Sequence, residues 1–360
     1  MATRTTEEPF RTLFEPHRRA ITLHCYRMLG SLQDAEEVVQ ETLLRGWQRQ
    51  AEVRSTGATR SWLYKVATNA CLDLLKARRR RALPHQVRPS ASAGAELGPP
   101  TDEVLWVEPA PDALLEEGAD DAVERPDARV SLRESVGLAF ITALQFLPPK
   151  QRAVLLLIDV LGQRPQEAAA LLETSVPSIN SLLQRARRSV EARAEHDAPP
   201  DASSSDPALV RRYITTWESG DLEAFTALLA DDAILSMPPQ PEWFAGREAV
   251  RGFLAGVFGG EPRQFRLVPI SANAQPAFAV YSRPKNGNAS YEAVAITLLT
   301  IRGGRLLRMT KFTVPKLFPL FGLPVQVPSG KRAAGTSRSK PRSVARSRRP
   351  AGRARPAARR

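Results

Sequence analysis

Trp62, Lys65, Asn69, Asp73, Lys76 and Arg80 follow one another at steps of 3, 4, 4, 3 and 4. A helix over this stretch therefore gathers an indole, an amide, a carboxylate and three cations on one face. Arg78 to Arg81 close it with a run of four cations, which also suits the C-terminal end of the helix dipole. Such a face fits a polyanion: cations meet phosphates, while Trp62 and Tyr64 offer rings on which unpaired bases can stack. An amphipathic helix with a solvated basic end is the plainer alternative. Leu63, Ala67, Ala70 and Leu74, stepping by 4, 3 and 4, make the apolar stripe that would hold the helix to a core.

A second set lies further on. PQEAAALL and VPSINSLLQRARRSVEA read as two helices joined by about four residues, a helix-turn-helix, each with a proline in its first turn. Val176, Ile179, Leu183 and Ala186 turn inward, leaving Ser178, Asn180, Ser181, Gln184, Arg185 and Arg188 for DNA. The N-terminal members would reach base edges and the arginines phosphate.

Other helices must position these two faces. Residues 8 to 29 carry Phe10, Leu13, Phe14, Ile21, Cys25, Met28 and Leu29 at mostly helical spacing, and Gly30 can end that helix. Ser31 with Asp34 is a capping box for the next one. There Ala35, Val39, Leu43 and Trp47 share one side and Asp34, Glu37, Glu41 and Arg45 another. A three-helix unit over residues 8–82 follows. A second capping box, Ser131 with Glu134, opens a helical segment over residues 131–196, in which Leu138, Ile141, Leu144 and Leu147 lead to a break at Pro148-Pro149 and then QRAVLLLIDVLG.

The order FEPHRRAITLHCYRMLGSLQDAEEVVQETLLRGW followed by RSWLYKVATNACLDLLKARRRR resembles region 2 of extracytoplasmic-function sigma factors of the sigma-70 family. The helix-turn-helix sits where that family has region 4. The resemblance implies a factor that directs bacterial core RNA polymerase to promoters and helps open the DNA, without catalysis of its own. It makes Asp34, Glu37, Gln40 and Glu41 contacts to the β′ clamp helices of the polymerase core, and Trp62, Lys65, Asn69, Asp73 and Arg78 contacts to −10 DNA. Ser178, Asn180, Ser181, Gln184, Arg185 and Arg188 become −35 contacts, with the β flap as a further polymerase partner. Two departures stand out: Asn180 and Leu182 occupy places where the family often has Lys or Arg, and Arg164-Pro165 stands where a capping Ser or Thr is common.

Residues 83–130 are rich in Pro, Ala, Ser and acid and too poor in periodic apolar residues to pack alone. Trp106, in WVEPAPDALL, is expected to dock because its exposure would be unfavourable. The stretch is similar to a linker motif in a sigma-factor subgroup with an extra C-terminal domain, which implies a regulatory linker built on Trp106, Glu108 and Pro109. From Asp206-Pro207 the composition changes to helices and then strands, QFRLVPISAN, AFAVYSR, YEAVAITLLTIRGG and RLLRMTKFTV, separated by Pro, Gly and Asn. Residues 207–315 resemble the SnoaL-like cone, so the expected fold class is multidomain: two all-α sigma regions and an α+β cone with an antiparallel sheet.

All four histidines, His17, His24, His85 and His196, lie outside the cone. Asp231 and Asp232 could act as a base there only if burial raised their pKa. Trp243, Phe244, Met237 and Tyr281 are candidate pocket or core residues. A small-molecule enzyme, or a ligand-sensing helix-turn-helix regulator using this pocket, is the alternative function.

The net charge of +13 is local. Residues 331–360 hold 12 Lys/Arg and no acid, leaving +1 for the first 330 residues, while residues 96–127 carry 11 Asp/Glu against Arg125. A basic tail over 325–360 suits loose phosphate contacts or solubility. LFPLFGLPVQV should dock as an apolar extension. Cys25 and Cys71, the only cysteines, have no metal-like spacing and read as buried apolar residues in a reducing compartment. No apolar run reaches the ~18 residues of a membrane span and no signal-peptide pattern opens the chain, so a cytoplasmic protein without cofactor or metal is expected.

Overall fold

The computed structural model describes residues 14–49, 59–77, 80–101, 105–116, 136–194, 206–285 and 290–329. Arg78, the capping box at Ser131 and Glu134, the acidic stretch 117–130 and the basic tail from residue 330 lie outside the described residues.

The first body is three helices: α1 (Arg18–Leu29), entered through a 3-10 turn at Glu15–His17, α2 (Leu32–Gln48) and α3 (Thr59–Ala77). Gly30 ends α1 in the left-handed conformation at φ 68°, and a Cβ there would come within 3.0 Å of the Gln145 side chain. Both demands select glycine. Ser31 caps α2 by accepting from the Asp34 amide at 3.2 Å. Leu63, Ala67 and Cys71 bring α3 into the core beside Cys25 of α1. Burial and the neighbouring Cys25 thiol push the Cys71 thiol up, which keeps it protonated and unreactive.

The linker contributes two short strands, β1 (Arg81–Ala82) and β2 (Leu105–Trp106), paired in parallel, and one turn of helix, α4 (Ala113–Glu116). The second helical body follows: α5 (Leu138–Gln145), α6 (Pro149–Leu155) running into a π-turn at Leu156–Val160, α7 (Pro165–Leu171) and α8 (Val176–Ala194). The third body begins with α9 (Pro207–Ser219), capped by Asp206, and α10 (Leu222–Thr226), capped by Asp221. Then come β3 (Leu229–Ser236), β4 (Trp243–Ala245), α11 (Arg247–Gly259), β5 (Arg263–Ala272), β6 (Gln275–Pro284), β7 (Tyr291–Arg302) and β8 (Arg305–Phe312). A 3-10 segment, Pro315–Phe321, and β9 (Gln326–Val327) end it, burying Leu317, Phe318 and Phe321.

The sheet runs β4-β3-β8-β7-β6-β5, with β9 beside β7. It is mostly antiparallel, but β3 and β8 pair in parallel, which the expectation of a purely antiparallel sheet missed. Period-two alternation gives the sheet two apolar faces. Phe278, Val280, Ala295, Leu299 and Met309 meet α9, α10 and α11 in one core. Ala277, Ala279, Ile296, Leu298 and Phe312 belong to the other, which is continuous with the cores of both helical bodies. The three bodies are thus cemented through the sheet's outer face. No helix among the described residues is long and apolar enough to cross a membrane.

Candidate nucleic-acid interface

On α3, Lys65 and Asn69 are half-buried and Asp73 is exposed, while Trp62 packs partly against the core. Asp73 pairs with Lys76 at 2.8 Å. Tyr64 is not part of this face: it is 3% exposed and meets His24 edge-on, ring centroids 5.3 Å apart, so its ring serves the core rather than a base. His24 Nε2 lies 2.9 Å from the Thr68 hydroxyl, and burial lowers its pKa to about 3.

Arg81 also leaves the expected cationic run. It donates to Asp34 Oδ2 at 2.6 Å and to the Trp106 carbonyl at 2.7 Å, with Arg81 and Asp34 only 11% and 10% exposed. Asp34 is therefore spent inside, and the acidic face of α2 consists of Glu37, Gln40 and Glu41, the last held by Arg45 at 2.8 Å. Trp47, expected on the apolar side, is 47% exposed, as is Leu44 at 50%. The inward stripe ends with Leu43, and these two extend the exposed surface of α2 in apolar form.

In the helix-turn-helix, Ile179, Leu183 and Ala186 are buried and Val176 partly so, which leaves Asn180, Ser181, Gln184, Arg185 and Arg188 exposed and Ser178 half-exposed. Arg187, from the same helix, forks onto Asp159 at 2.6 and 2.9 Å and fixes α8 to the π-turn. At Arg164, where a capping hydroxyl is missing, no side chain caps the first helical amides; Glu167 instead reaches back, its carboxylate accepting the Arg164 amide at 2.8 Å and pairing with the guanidinium at 2.9 Å.

The two faces are held against each other. Arg152, 3% exposed, donates to the Met28 carbonyl at the end of α1, to Gln145 Oε1 at 2.7 Å and to the Gln145 carbonyl at 3.0 Å. Burial lowers its pKa to about 10, so it stays charged near neutral pH and needs every one of those acceptors. Lys65 reaches Glu173 in the helix-turn-helix turn at 3.0 Å. Arg80 and Arg193 both lie over the Phe146 ring, at 4.0 and 3.1 Å from its centroid.

The linker closes the assembly. Trp106 is 8% exposed, Pro109 is buried, and Glu108 ties itself to the first body three ways. Its carboxylate accepts from Ser31 at 2.8 Å, its carbonyl from Tyr26 at 2.8 Å, and its amide donates to the Gly30 carbonyl at 2.9 Å. Beyond it, Asn273, fully buried in the β5–β6 turn, collects the other bodies. Its amide oxygen accepts from Ala110 at 2.9 Å, and its amide nitrogen donates to the Tyr26 hydroxyl at 2.9 Å and the Val136 carbonyl at 2.8 Å. Earlier in the linker, Trp243 donates to the Arg88 carbonyl at 2.8 Å and meets His85 edge-on.

Asp231 and Asp232 lie within β3 with side chains 92% and 62% exposed, paired with Arg247 at 2.8 Å and Arg302 at 2.6 Å. Neither carboxylate has the buried environment on which a catalytic role for it was made to depend. Trp243, Phe244, Met237 and Tyr281 do not line one pocket. Phe244 and Met237 are inner core, Trp243 holds the linker, and Tyr281 packs on Phe318 on the outer face. Asn273, Tyr26, Ser31, Arg152 and Glu173 were absent from the sequence-derived site. Two of them carried a signal of another kind: Ser31 one for a helix cap, and Asn273 one for a turn.

Residues 13–81 match the Sigma-70 region 2 family model, 137–190 the Sigma-70, region 4 model, and 210–309 the SnoaL-like domain model. The chain is 40% identical over 316 residues to the ECF RNA polymerase sigma factor SigG of Mycobacterium tuberculosis, covering 86% of this chain and 82% of the relative. It is 28% identical to SigJ of the same organism over 85% of this chain and 92% of SigJ. The crystal structure of SigJ shares the fold at TM-score 0.52 and 23% identity, over 87% of this chain and 98% of that one.

Proposed function

Because the chain belongs to the family of ECF RNA polymerase sigma factors, we propose that it recruits core RNA polymerase, reads a promoter through two separate DNA-binding regions, and is restrained in cis by its C-terminal domain. Glu37, Gln40 and Glu41, with exposed Leu44 and Trp47 beside them, form the surface offered to the β′ clamp helices; α7 and α8 offer theirs to the β flap. Trp62, Lys65, Asn69 and Asp73 serve −10 DNA, and Asn180, Ser181, Gln184, Arg185 and Arg188, with Ser178, serve the −35 element. Its place of action is the cytoplasm, with the polymerase.

The contact of Lys65 with Glu173 at 3.0 Å supports a closed arrangement of the two DNA-binding regions, and the bonds of Asn273 to Tyr26, Ala110 and Val136 tie the C-terminal domain to it. Elements centred near −10 and −35 are about 25 bp apart, roughly 85 Å of B-form DNA. A helix that serves one cannot touch the turn of the helix-turn-helix that serves the other while both are engaged. The arrangement described above is thus a closed form, latched by Arg152, the Trp106 linker and Asn273, which core polymerase must open.

Run-off transcription with purified core polymerase tests this reading. Specific transcripts should appear only when the chain is added, and loosening the latch should raise output at limiting polymerase. Failure of the chain to bind core enzyme and to support any transcript from a genomic promoter library would sink it.

A further inference from the structure

A cavity of about 20 Å³ lies where the linker, the second helical body and the outer face of the sheet meet. Gln86 of the linker, Leu138 and Thr142 of α5, Thr300 of β7, and Arg308 and Thr310 of β8 line it. Thr300, Arg308 and Thr310 alternate with Leu299 and Met309, which point the other way into the core beneath α9, α10 and α11. The cavity is therefore on the far side of the sheet from those helices. Its walls are well enclosed: Thr142, Thr310 and Thr300 are 1%, 2% and 9% exposed, and Arg308 is half-buried.

A single water needs roughly 10–15 Å³, so the cavity admits a compact guest rather than an extended one. Its chemistry decides which. Among the described residues that line it, Arg308 is the one ionisable side chain, so the wall carries a positive charge and no carboxylate. Arg308 stands directly across the ladder from Thr300, and Thr310 lies two residues along the same strand. The Gln275 amide donates to the Thr300 hydroxyl at 3.0 Å, so that hydroxyl has its own proton to give to another acceptor. A guanidinium can only donate, and the Thr310 hydroxyl can donate as well. A cation flanked by hydroxyls, in a setting where charge is screened less than in water, suits an anion.

We propose that this cavity is a site for a compact monoanion, chloride in size and charge, held by the Arg308 guanidinium and the hydroxyls of Thr300 and Thr310. The anion touches walls supplied by the linker, α5 and the sheet, so it stays only while these remain together. It thereby favours the closed form by the factor 1 + [anion]/Kd. That consequence rests on the closed arrangement proposed above. Binding itself is read on the free chain, without polymerase or DNA, so failure of the site and failure of the transcription reading are distinguishable.

The test compares sodium chloride with sodium gluconate, whose anion is too large for the cavity, at one ionic strength of about 0.15 M. The full chain should melt about 2–4 °C higher in chloride, and the rise should saturate as chloride replaces gluconate. Hydrogen exchange at residues 83–86 and 138–142 should slow in chloride, and bromide should reproduce both effects. Arg308→Gln and Thr300→Val should each lose most of the chloride-dependent rise. Because the two salts are compared within each variant, a change in the variant's own stability cancels. Equal melting and equal exchange of the wild-type chain in the two salts would overturn the proposal and assign the cavity to water. A chloride-dependent rise that Arg308→Gln retains in full would also overturn it, by assigning the anion to surface cations.

Discussion

Asn273 donates a hydrogen bond of 2.9 Å to the hydroxyl of Tyr26, joining a hairpin turn of the C-terminal sheet to the first helix across 247 residues of sequence. The same side chain holds Ala110 of the linker and Val136 at the entrance to the second helical body. Its φ of 52° is one that glycine adopts freely. Asn273→Gly therefore deletes the three cross-links and leaves the turn intact. The variant should lose about 3 kcal/mol of interface stability, at about 1 kcal/mol per bond. Hydrogen exchange should quicken in residues 105–112, and the free chain should bind promoter DNA more tightly. Unchanged exchange in the linker would remove Asn273 from the latch.

Glu173 also has positive φ, 52°, and its bond to Lys65 is exposed on both sides, at 74% and 42%. Exposed pairs contribute about 0–1 kcal/mol, and glycine relieves a similar amount of backbone strain at such a position. Glu173→Gly should leave urea stability unchanged within about 1 kcal/mol while freeing Lys65 for phosphate. A large loss of stability would show that the pair is structural rather than a restraint on the DNA-binding face.

Arg185 and Asn180 are both exposed on α8, but the account gives them different work. Arg185→Ala should weaken −35 binding for all sequences alike and reduce the slope of log K against log salt by about 0.9. Asn180→Ala should relax base preference and leave the slope unaltered. Fluorescence anisotropy over a salt series separates the two, and identical slopes for wild type and Arg185→Ala would contradict the phosphate role.

His24 is buried, bonded to Thr68, and has its pKa lowered by burial from 6.5 to about 3. Between those values the unfolded chain binds more protons than the folded one, so stability falls as pH is lowered from 6.5 towards 3. Denaturant melts across that window should show the loss, and His24→Gln, which keeps a hydrogen-bonding group on Thr68, should flatten it. A variant with the wild-type acid profile would assign the loss to other groups.

Much of this was legible because it is local. The steps of Leu63, Ala67, Ala70 and Leu74, the Gly30 stop, the Ser31 cap and the alternation in β5 to β8 are set by neighbours a few residues away. The docking of Trp106 was readable from the cost of exposing an indole. What escaped depends on partners far along the chain. Asp34 reads as one more surface acid until Arg81, 47 residues on, takes it inside. Tyr64 reads as a stacking ring until His24 claims it. Arg152 reads as a helix cation until the carbonyl of Met28 is set against it. The parallel pairing of β3 with β8 needs the intervening strands to be in place first.

The central claim, that regions 2 and 4 are latched together and opened by core polymerase, is tested most directly by a distance between them. Gln33 on α2 and Gln166 on α7 are exposed, while both native cysteines are fully buried, so Gln33→Cys with Gln166→Cys permits selective labelling with a fluorophore pair. Single-molecule energy transfer should show one compact population for the free chain and a shift to a longer distance on addition of core polymerase. A free chain that is already extended, or a distance that polymerase binding leaves unchanged, would contradict the account.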